Sequence, residues 1–196
     1  MIKACCFEDN AAFWGGALSC WGGSAPAVSE SYFARNVGEE DAGAIHCVNG
    51  SHAQIRGNFF TANRAKYGGA IHCLQGSAPL IAENHISGNV ATGNSSAISC
   101  FGQAPPQITG NYIALNMVEK DDRYAIESVA NSRPVIKGNY LGENRHLKGA
   151  GKGLHANAEF SGKKDESACE ELEPKTKEEI LGALTAKKVI PPPAAP

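Results

Sequence analysis

Residues 60–73 read FTANRAKYGGAIHC, and versions of this stretch recur along most of the chain. The asparagine three residues after Phe60 has a counterpart in every repeat: Asn10, Asn36, Asn63, Asn89, Asn116 and Asn144. The alanine of Gly-Gly-Ala-Ile recurs at Ala17, Ala44, Ala70, Ala97 and Ala125. A third column is apolar: Ile2, Val28, Ile55, Ile81, Ile108 and Ile136. Three columns that share a period of about 27 residues define a repeat protein.

Each repeat contains short alternating stretches, such as Ala-Ile-His-Cys, separated by Gly, Asn, Ser and Pro. Such alternation predicts β-strands, and the separating residues predict turns. A unit of about 27 residues with two or three strands cannot enclose a core alone, so it must stack on its neighbours. The sequence therefore predicts an all-β protein, a parallel β-helix of about six coils spaced about 4.8 Å apart.

The Gly-Gly-Ala-Ile and Phe-x-x-Asn motifs resemble those of chlamydial polymorphic membrane protein passengers. More broadly, the chain from Ile2 to about Phe160 resembles the right-handed parallel β-helices of the pectin-lyase-like superfamily. The resemblance implies a right-handed coil and an extracellular or cell-surface location, although the chain shows no signal peptide. Because that superfamily includes lyases, hydrolases, epimerases, adhesins and phage spikes, the resemblance does not select one function.

Two sets of columns are expected to be structural. The asparagines are expected to form amide ladders, joined by a second column at Asn58, Asn84, Asn111 and Asn139. Four cysteines, at Cys20, Cys47, Cys73 and Cys100, share the strand parity of the apolar residues. A straight ladder does not converge on a zinc ion, and disulfides between in-register strands would be strained. We therefore expect reduced thiols that fill the core.

Residues of the opposite parity should face outward. They predict an exposed apolar strip, unless the chain kinks after the cysteines and turns these side chains into the core: Trp21, Val48, Leu74 and Phe101. His46 and His72 border this strip on successive coils. Exposed apolar strips of this length usually bind a partner, so we predict a binding surface here. The two histidines are also an alternative candidate for a transition-metal site, without a third ligand beside them.

Charge and hydropathy exclude two classes of function. The 18 Lys and Arg residues are matched by 20 Asp and Glu residues, so the net charge is −2. Nucleic-acid binding depends on a concentrated positive surface, which this balance does not predict. No apolar run reaches the length needed for a transmembrane helix.

Catalysis on this fold would require clustered carboxylates. The candidates are Glu40 and Asp41 in one turn and Asp121 and Asp122, beside Arg123, in another. Three coils, or about 14 Å, separate the two groups, which is too far for one paired-carboxylate mechanism. We therefore predict a non-catalytic module that binds a protein or a polysaccharide and has no cofactor. The alternative is a polysaccharide lyase or glycoside hydrolase, in which calcium would be possible.

Composition changes near Lys163, which divides the chain into a β-helix over residues 1–162 and a charged segment over residues 163–196. Thr176 and Glu179 fit a capping box, and Ile180, Leu181 and Leu184 would form a short apolar helix face. A proline-rich tail follows. We expect the helix to pack on the β-helix. The alternative is self-association, through this helix or through the coil ends.

Overall fold

The protein is a parallel β-solenoid in a computed structural model that describes residues 1–119, 124–142, 144–146, 149–150, 152–157, 171–172 and 175–186. Four strands per coil stack into four sheets along the rod. From Phe7 to Leu141 six equivalent strands are stacked, which corresponds to about five complete turns. The predicted all-β solenoid and the single short C-terminal helix are confirmed.

Three of the four sheets, namely the first, the second and the fourth, contain large apolar columns. The first sheet contains Ile2–Lys3, Ala27–Ser29, Gln54–Arg56, Leu80–Ala82, Gln107–Thr109, Val135–Lys137 and Glu171–Leu172. The second sheet contains Cys6–Glu8, Tyr32–Ala34, Phe59–Thr61, His85–Ser87, Tyr112–Ala114 and Tyr140–Gly142.

The other two sheets flank the Gly-Gly-Ala corner. The third sheet contains Ala11–Trp14, Val37–Asp41, Arg64–Tyr67, Val90–Asn94, Met117–Val118, Arg145–His146 and Gly149–Ala150, the last pair being antiparallel. The fourth sheet contains Leu18–Cys20, Ile45–Cys47, Ile71–Leu74, Ile98–Phe101, Tyr124–Val129 and Lys152–Asn157.

The core consists of stacked equivalents from successive coils. Val28 pairs in register with Ile55, as Ile81 does with Ile108, and all four side chains are fully buried. The rings of Phe33 and Phe60 stack with centroids 4.8 Å apart and planes 9° apart. Each coil places the same kind of side chain above its equivalent in the previous coil. Each apolar column is therefore continuous along the core.

The asparagines form two hydrogen-bonded ladders, as predicted. Asn63 Oδ1 accepts hydrogen bonds from the backbone N and from Nδ2 of Asn36, at 3.1 and 2.9 Å. Asn63 Nδ2 in turn donates to Asn89 Oδ1 and to the carbonyl oxygen of Phe33, each at 2.9 Å. Each amide therefore satisfies buried backbone groups at a corner where the sheet hydrogen bonds are interrupted.

The four cysteines of the ladder are buried, as predicted. Cys20, Cys47, Cys73 and Cys100 are buried free thiols, whereas Cys5 and Cys6 are exposed. A hydrogen bond to Cys47 and burial raise the pKa of the Cys20 thiol far above its ordinary value. The Cys20 thiol is therefore protonated, and the four buried cysteines serve as small side chains that fill the core. Cys169 lies outside the described residues.

The helix Lys177–Ala186 packs on the outer face of the second sheet. Thr176 and Glu179 form the predicted capping box: Glu179 N donates to Thr176 Oγ1 at 3.2 Å, and Thr176 N donates to Glu179 Oε2 at 2.8 Å. Ile180 and Leu184 are buried against a cluster that includes Tyr112. The apolar face of this short helix is therefore used within the chain.

Tyr112 belongs to a ladder of stacked rings on the outside of the second sheet. His85 lies between Phe59 and Tyr112, with ring centroids 4.4 and 4.7 Å away. Burial lowers the pKa of His85 to about 4. The outer face of this sheet is therefore a stack of aromatic contacts with one neutral imidazole inside it.

We expect Asn63→Ala to lower the free energy of unfolding by about 3 kcal/mol, because it leaves buried backbone groups of its neighbours without partners. Asn10 is the matched control: it is exposed at one end of the same ladder, and its side chain donates to Asn36 Oδ1. Asn10→Ala should cost less than about 1 kcal/mol. Urea unfolding measures both, and equal costs would contradict the structural role of the ladder.

Stability should also fall as the pH drops from about 6.5 to 4. An unfolded His85 binds a proton near its ordinary pKa of 6.5, whereas the folded residue stays neutral down to about 4. At 1.36 kcal/mol per pKa unit, the loss is about 3 kcal/mol. His85→Phe, which keeps the ring stack, should flatten this part of the pH profile in urea unfolding. The same change at exposed His52 should leave the slope intact.

Candidate functional site

The tight corner between the third and fourth sheets brings outward side chains from both sheets together. Gly15 has φ +63°, and a Cβ there would lie 2.9 Å from His46 Cβ. Gly68 has φ +62° at the equivalent corner, where a Cβ would lie 3.2 Å from His72 Cβ. Glycine suits both positions because it adopts this conformation without steric cost and leaves room for the imidazoles.

We define the corner site by the residues that meet there. The third sheet and its neighbourhood contribute Phe13, Trp14, Asp41 and Tyr67, and the fourth contributes Ser19, His46, His72 and Trp21. Trp14, Asp41 and Tyr67 are register equivalents on neighbouring strands, as are Ser19, His46 and His72.

A carboxylate and two imidazoles form the polar centre of the corner site. His72 Nδ1 is hydrogen-bonded to Asp41 Oδ1 at 2.9 Å, and His46 Nε2 lies 3.9 Å from Asp41 Oδ2. Both histidines are buried, with 3% and 4% of their surface exposed. The Nε2 atoms of both rings are buried without a hydrogen-bond partner. Such orphaned atoms are uncommon in folded proteins.

The charges at this centre follow from its burial. Burial acts to raise the pKa of Asp41, but the hydrogen bond with His72 and the electrostatic influence of His72, His46 and Lys66 outweigh it, so that pKa lies below its ordinary value. Burial, followed by repulsion from His72, lowers the pKa of His46. At neutral pH the centre therefore contains an ionised Asp41 beside a neutral His46.

The first-coil end of the corner site is aromatic and open. Trp14 and Trp21 are 45% and 46% exposed, with ring centroids 5.9 Å apart and planes tilted by 58°. Phe13, 52% exposed, contacts Trp14 edge-on at 5.0 Å. Trp21 Nε1 donates to Ser19 Oγ at 2.6 Å, and that hydroxyl lies 3.2 Å from His46 Nδ1. A continuous chain of contacts thus joins the exposed indoles to the polar centre.

The predicted apolar strip is not continuous. Trp21 is exposed, but its equivalent Val48 is buried. Leu74 and Phe101 are half-buried. The expectation that the two histidines face solvent was wrong, because Asp41 and Tyr67 pack against them across the corner. Their ring centroids are 6.2 Å apart.

The candidate catalytic and metal-binding residues are distributed as follows. Asp41 lies in the corner site, whereas Glu40 forms an ion pair with Lys66 at 2.8 Å. Asp121, Asp122 and Arg123 lie outside the described residues. Within the described part of the chain, no three His, Cys, Asp or Glu side chains are grouped to hold a metal ion.

Sequence reasoning missed the contribution of the third sheet to this site. Trp14, Asp41 and Tyr67 share a position in the repeat. Each lies two residues before a corner glycine, which is Gly16, Gly43 or Gly69, respectively. Their shared position was a usable signal for a second outward column. The sharpness of the corner, which folds that column against His46 and His72, was not visible in the spacing.

The fold and the corner site define a β-solenoid with one polar and aromatic site on its outer surface. Residues 1–163 match the family model described as the right handed beta helix region, and the chain belongs to that family. No curated protein and no solved structure matches the chain. Among the described residues, no helix combines the length and apolar character needed to cross a membrane.

The corner site gives a direct optical test of the His46 environment. Trp14 and Trp21 are the two tryptophans of the chain, and the ring of Trp21 lies 6.0 Å from that of His46. Because a protonated imidazole quenches indole fluorescence, emission should decrease on acidification with a midpoint below 6.5. His46→Gln should remove this step. A step that persists in the variant would contradict the assignment.

Proposed function

We propose that this β-solenoid is an interaction module that binds a polysaccharide through the corner site. The observation that carries the proposal is the pair of exposed indoles, Trp14 and Trp21, beside the Asp41 carboxylate. Flat aromatic rings contact the apolar C–H faces of sugars, while carboxylate and imidazole groups form hydrogen bonds with sugar hydroxyls. A site with both kinds of group side by side suits a sugar chain.

The distribution of exposed apolar surface favours a polysaccharide over a protein partner. A stable protein interface buries about 1,000 Å² or more around an apolar centre. Burial of Val48 interrupts the strip that would have supplied such a face. The exposed aromatic surface is instead concentrated at Phe13, Trp14 and Trp21. A cell-surface location, which the resemblance to chlamydial passengers implies, would bring this site into contact with polysaccharide.

A polysaccharide lyase or hydrolase is the second candidate function, and one contact favours it. His46 Nδ1 lies 3.2 Å from the hydroxyl of exposed Ser19, so a neutral imidazole is placed to accept a proton there. If the protein cleaves a bound oligosaccharide, His46→Gln should abolish product formation. If the oligosaccharide stays intact through long incubation, binding alone remains as the function.

The binding proposal is tested with oligosaccharides of defined length, including β-glucans, xylans and chitin fragments. Binding should change the tryptophan emission of the wild-type protein, because both indoles lie in the corner site. Trp14→Ala and Trp21→Ala should each weaken binding at least tenfold by calorimetry, since each removes an exposed stacking surface. Their thermal stability should change little.

Val135→Ala is the control, because Val135 is an exposed apolar residue, as Trp14 and Trp21 are, but lies in the first sheet. This variant should bind like the wild type. Absence of binding to every oligosaccharide would overturn the proposed function. If binding survives the loss of both indoles, the binding site lies outside the corner site.

A further inference from the structure

We infer that two copies of this chain associate end to end through the edge of the first coil. The first-coil edge consists of the strands Ile2–Lys3, Cys6–Glu8, Ala11–Trp14 and Leu18–Cys20. Each of these is the terminal strand of its sheet, so one side of its backbone has no neighbouring strand among the described residues. The inference goes beyond the proposed function and does not depend on it, because it uses this edge instead of the outer face of the corner site.

The apolar interior of the solenoid is open at this edge. Three inward side chains of the first coil are half-buried, although their register partners in the second coil are fully buried: Ile2, Phe7 and Leu18, opposite Val28, Phe33 and Ile45. The ring of Phe7 stacks on that of Phe33, with centroids 4.8 Å apart, and no ring of the described residues stacks on its other face. The edge therefore offers the apolar centre that a stable interface covers.

The backbone of the strand Cys6–Glu8 has hydrogen-bonding groups that point away from the second coil. The carbonyl oxygen of Cys5 accepts from Tyr32 N at 2.8 Å, and Asp9 N donates to the carbonyl oxygen of Ala34 at 3.2 Å. Residues 5 and 9 therefore face the second coil. Because backbone groups alternate in direction along a strand, residue 7 faces it too, whereas residues 6 and 8 face the open side.

This alternation suits pairing with the same strand of a second copy. A two-fold axis at Phe7 places Cys6 of one copy opposite Glu8 of the other, in an antiparallel pair whose outward backbone groups face each other. Two such pairs form, one on each side of the axis. The same axis places Phe7 opposite Phe7, so the column of stacked rings continues across the junction.

The charges around the edge do not oppose this contact. Lys3 pairs with Glu30 at 3.1 Å, and Arg35 pairs with Glu8 and Asp9 at 3.1 and 2.8 Å. Since the carboxylates of this end are already neutralised within their own copy, two identical ends meet with little like-charge repulsion. The four edge strands contain no proline and no charged inward side chain, so neither of these common barriers to edge pairing is present.

A second copy is the partner that this geometry selects. A partner that covers the whole edge must have a matching coil with an open apolar interior, and another first-coil edge has both. Residues 2–20 make up the coil, so each copy contributes close to the ~20 residues per side that stable interfaces use. Because each copy uses the same edge, the contact closes at a dimer and does not propagate into a filament.

Sedimentation equilibrium of the full chain tests the inference. At about 100 µM, above the micromolar or tighter dissociation constants of standard interfaces, the protein should have twice the chain mass of 20.5 kDa. Glu8→Pro removes a backbone N–H that faces the partner and is not needed within the coil. It should weaken association at least tenfold, because the two-fold axis doubles the loss. Glu8→Ala, which keeps this N–H, is the matched control and should still dimerise.

A second variant, Glu8→Cys, tests the register without removing a hydrogen bond. Opposite residues of a hydrogen-bonded antiparallel pair have Cα atoms about 5.5 Å apart, which suits a disulfide. Under mild oxidation this variant should form a covalent dimer, linked between Cys6 of one copy and position 8 of the other by mass spectrometry. Thr61→Cys, at the equivalent position two coils away, should form no such link.

A chain that stays monomeric at this concentration would overturn the inference. A dimer that Glu8→Pro leaves unchanged, or that Glu8→Cys does not link, would place the contact elsewhere and also overturn it. Assemblies that keep growing with concentration would contradict the closed two-fold contact.

Discussion

In the described part of this solenoid, paired parallel strands place equivalent residues of neighbouring coils one strand spacing, about 4.8 Å, apart along the backbone. This in-register stacking is the constraint on which the rest of the structure depends. Asparagine amides continue the backbone hydrogen bonds through the corners, as Asn63 does between Asn36 and Asn89. Phenylalanine rings and isoleucines stack in the interior for the same reason. The interior columns therefore favour side chains that can stack on another side chain of the same type.

The corner site is a place where that similarity breaks down. In the column before the corner, Trp14, Asp41 and Tyr67 follow one another, so an indole, a carboxylate and a phenol lie on successive strands. The adjacent column changes from a serine to two histidines. Because the corner folds these two irregular columns against each other, their unlike side chains pair with one another. Buried polar groups and exposed indoles thus meet without any inserted loop.

The polar and the aromatic groups of the corner site differ in what the proposed binding would require of them. Asp41, His46 and His72 are held by contacts within the protein, so their positions would be preorganised for the proposed ligand. Trp14 and Trp21 are half-exposed and have apolar surface to offer a partner. The combination resembles other small-molecule sites, in which a few placed polar groups determine orientation and aromatic surface contributes contact area.

The sequence by itself determined the repeat, the four-cysteine core ladder, the asparagine ladders and the capped C-terminal helix. These features depend on period and parity, which in-register stacking transfers directly from sequence to structure. Period and parity could not predict that His46, His72 and Val48 are buried. Only the tertiary structure decided that, because the burial of an outward side chain depends on which side chains the corner packs against it. The corner brings Asp41 to the histidines and creates the site.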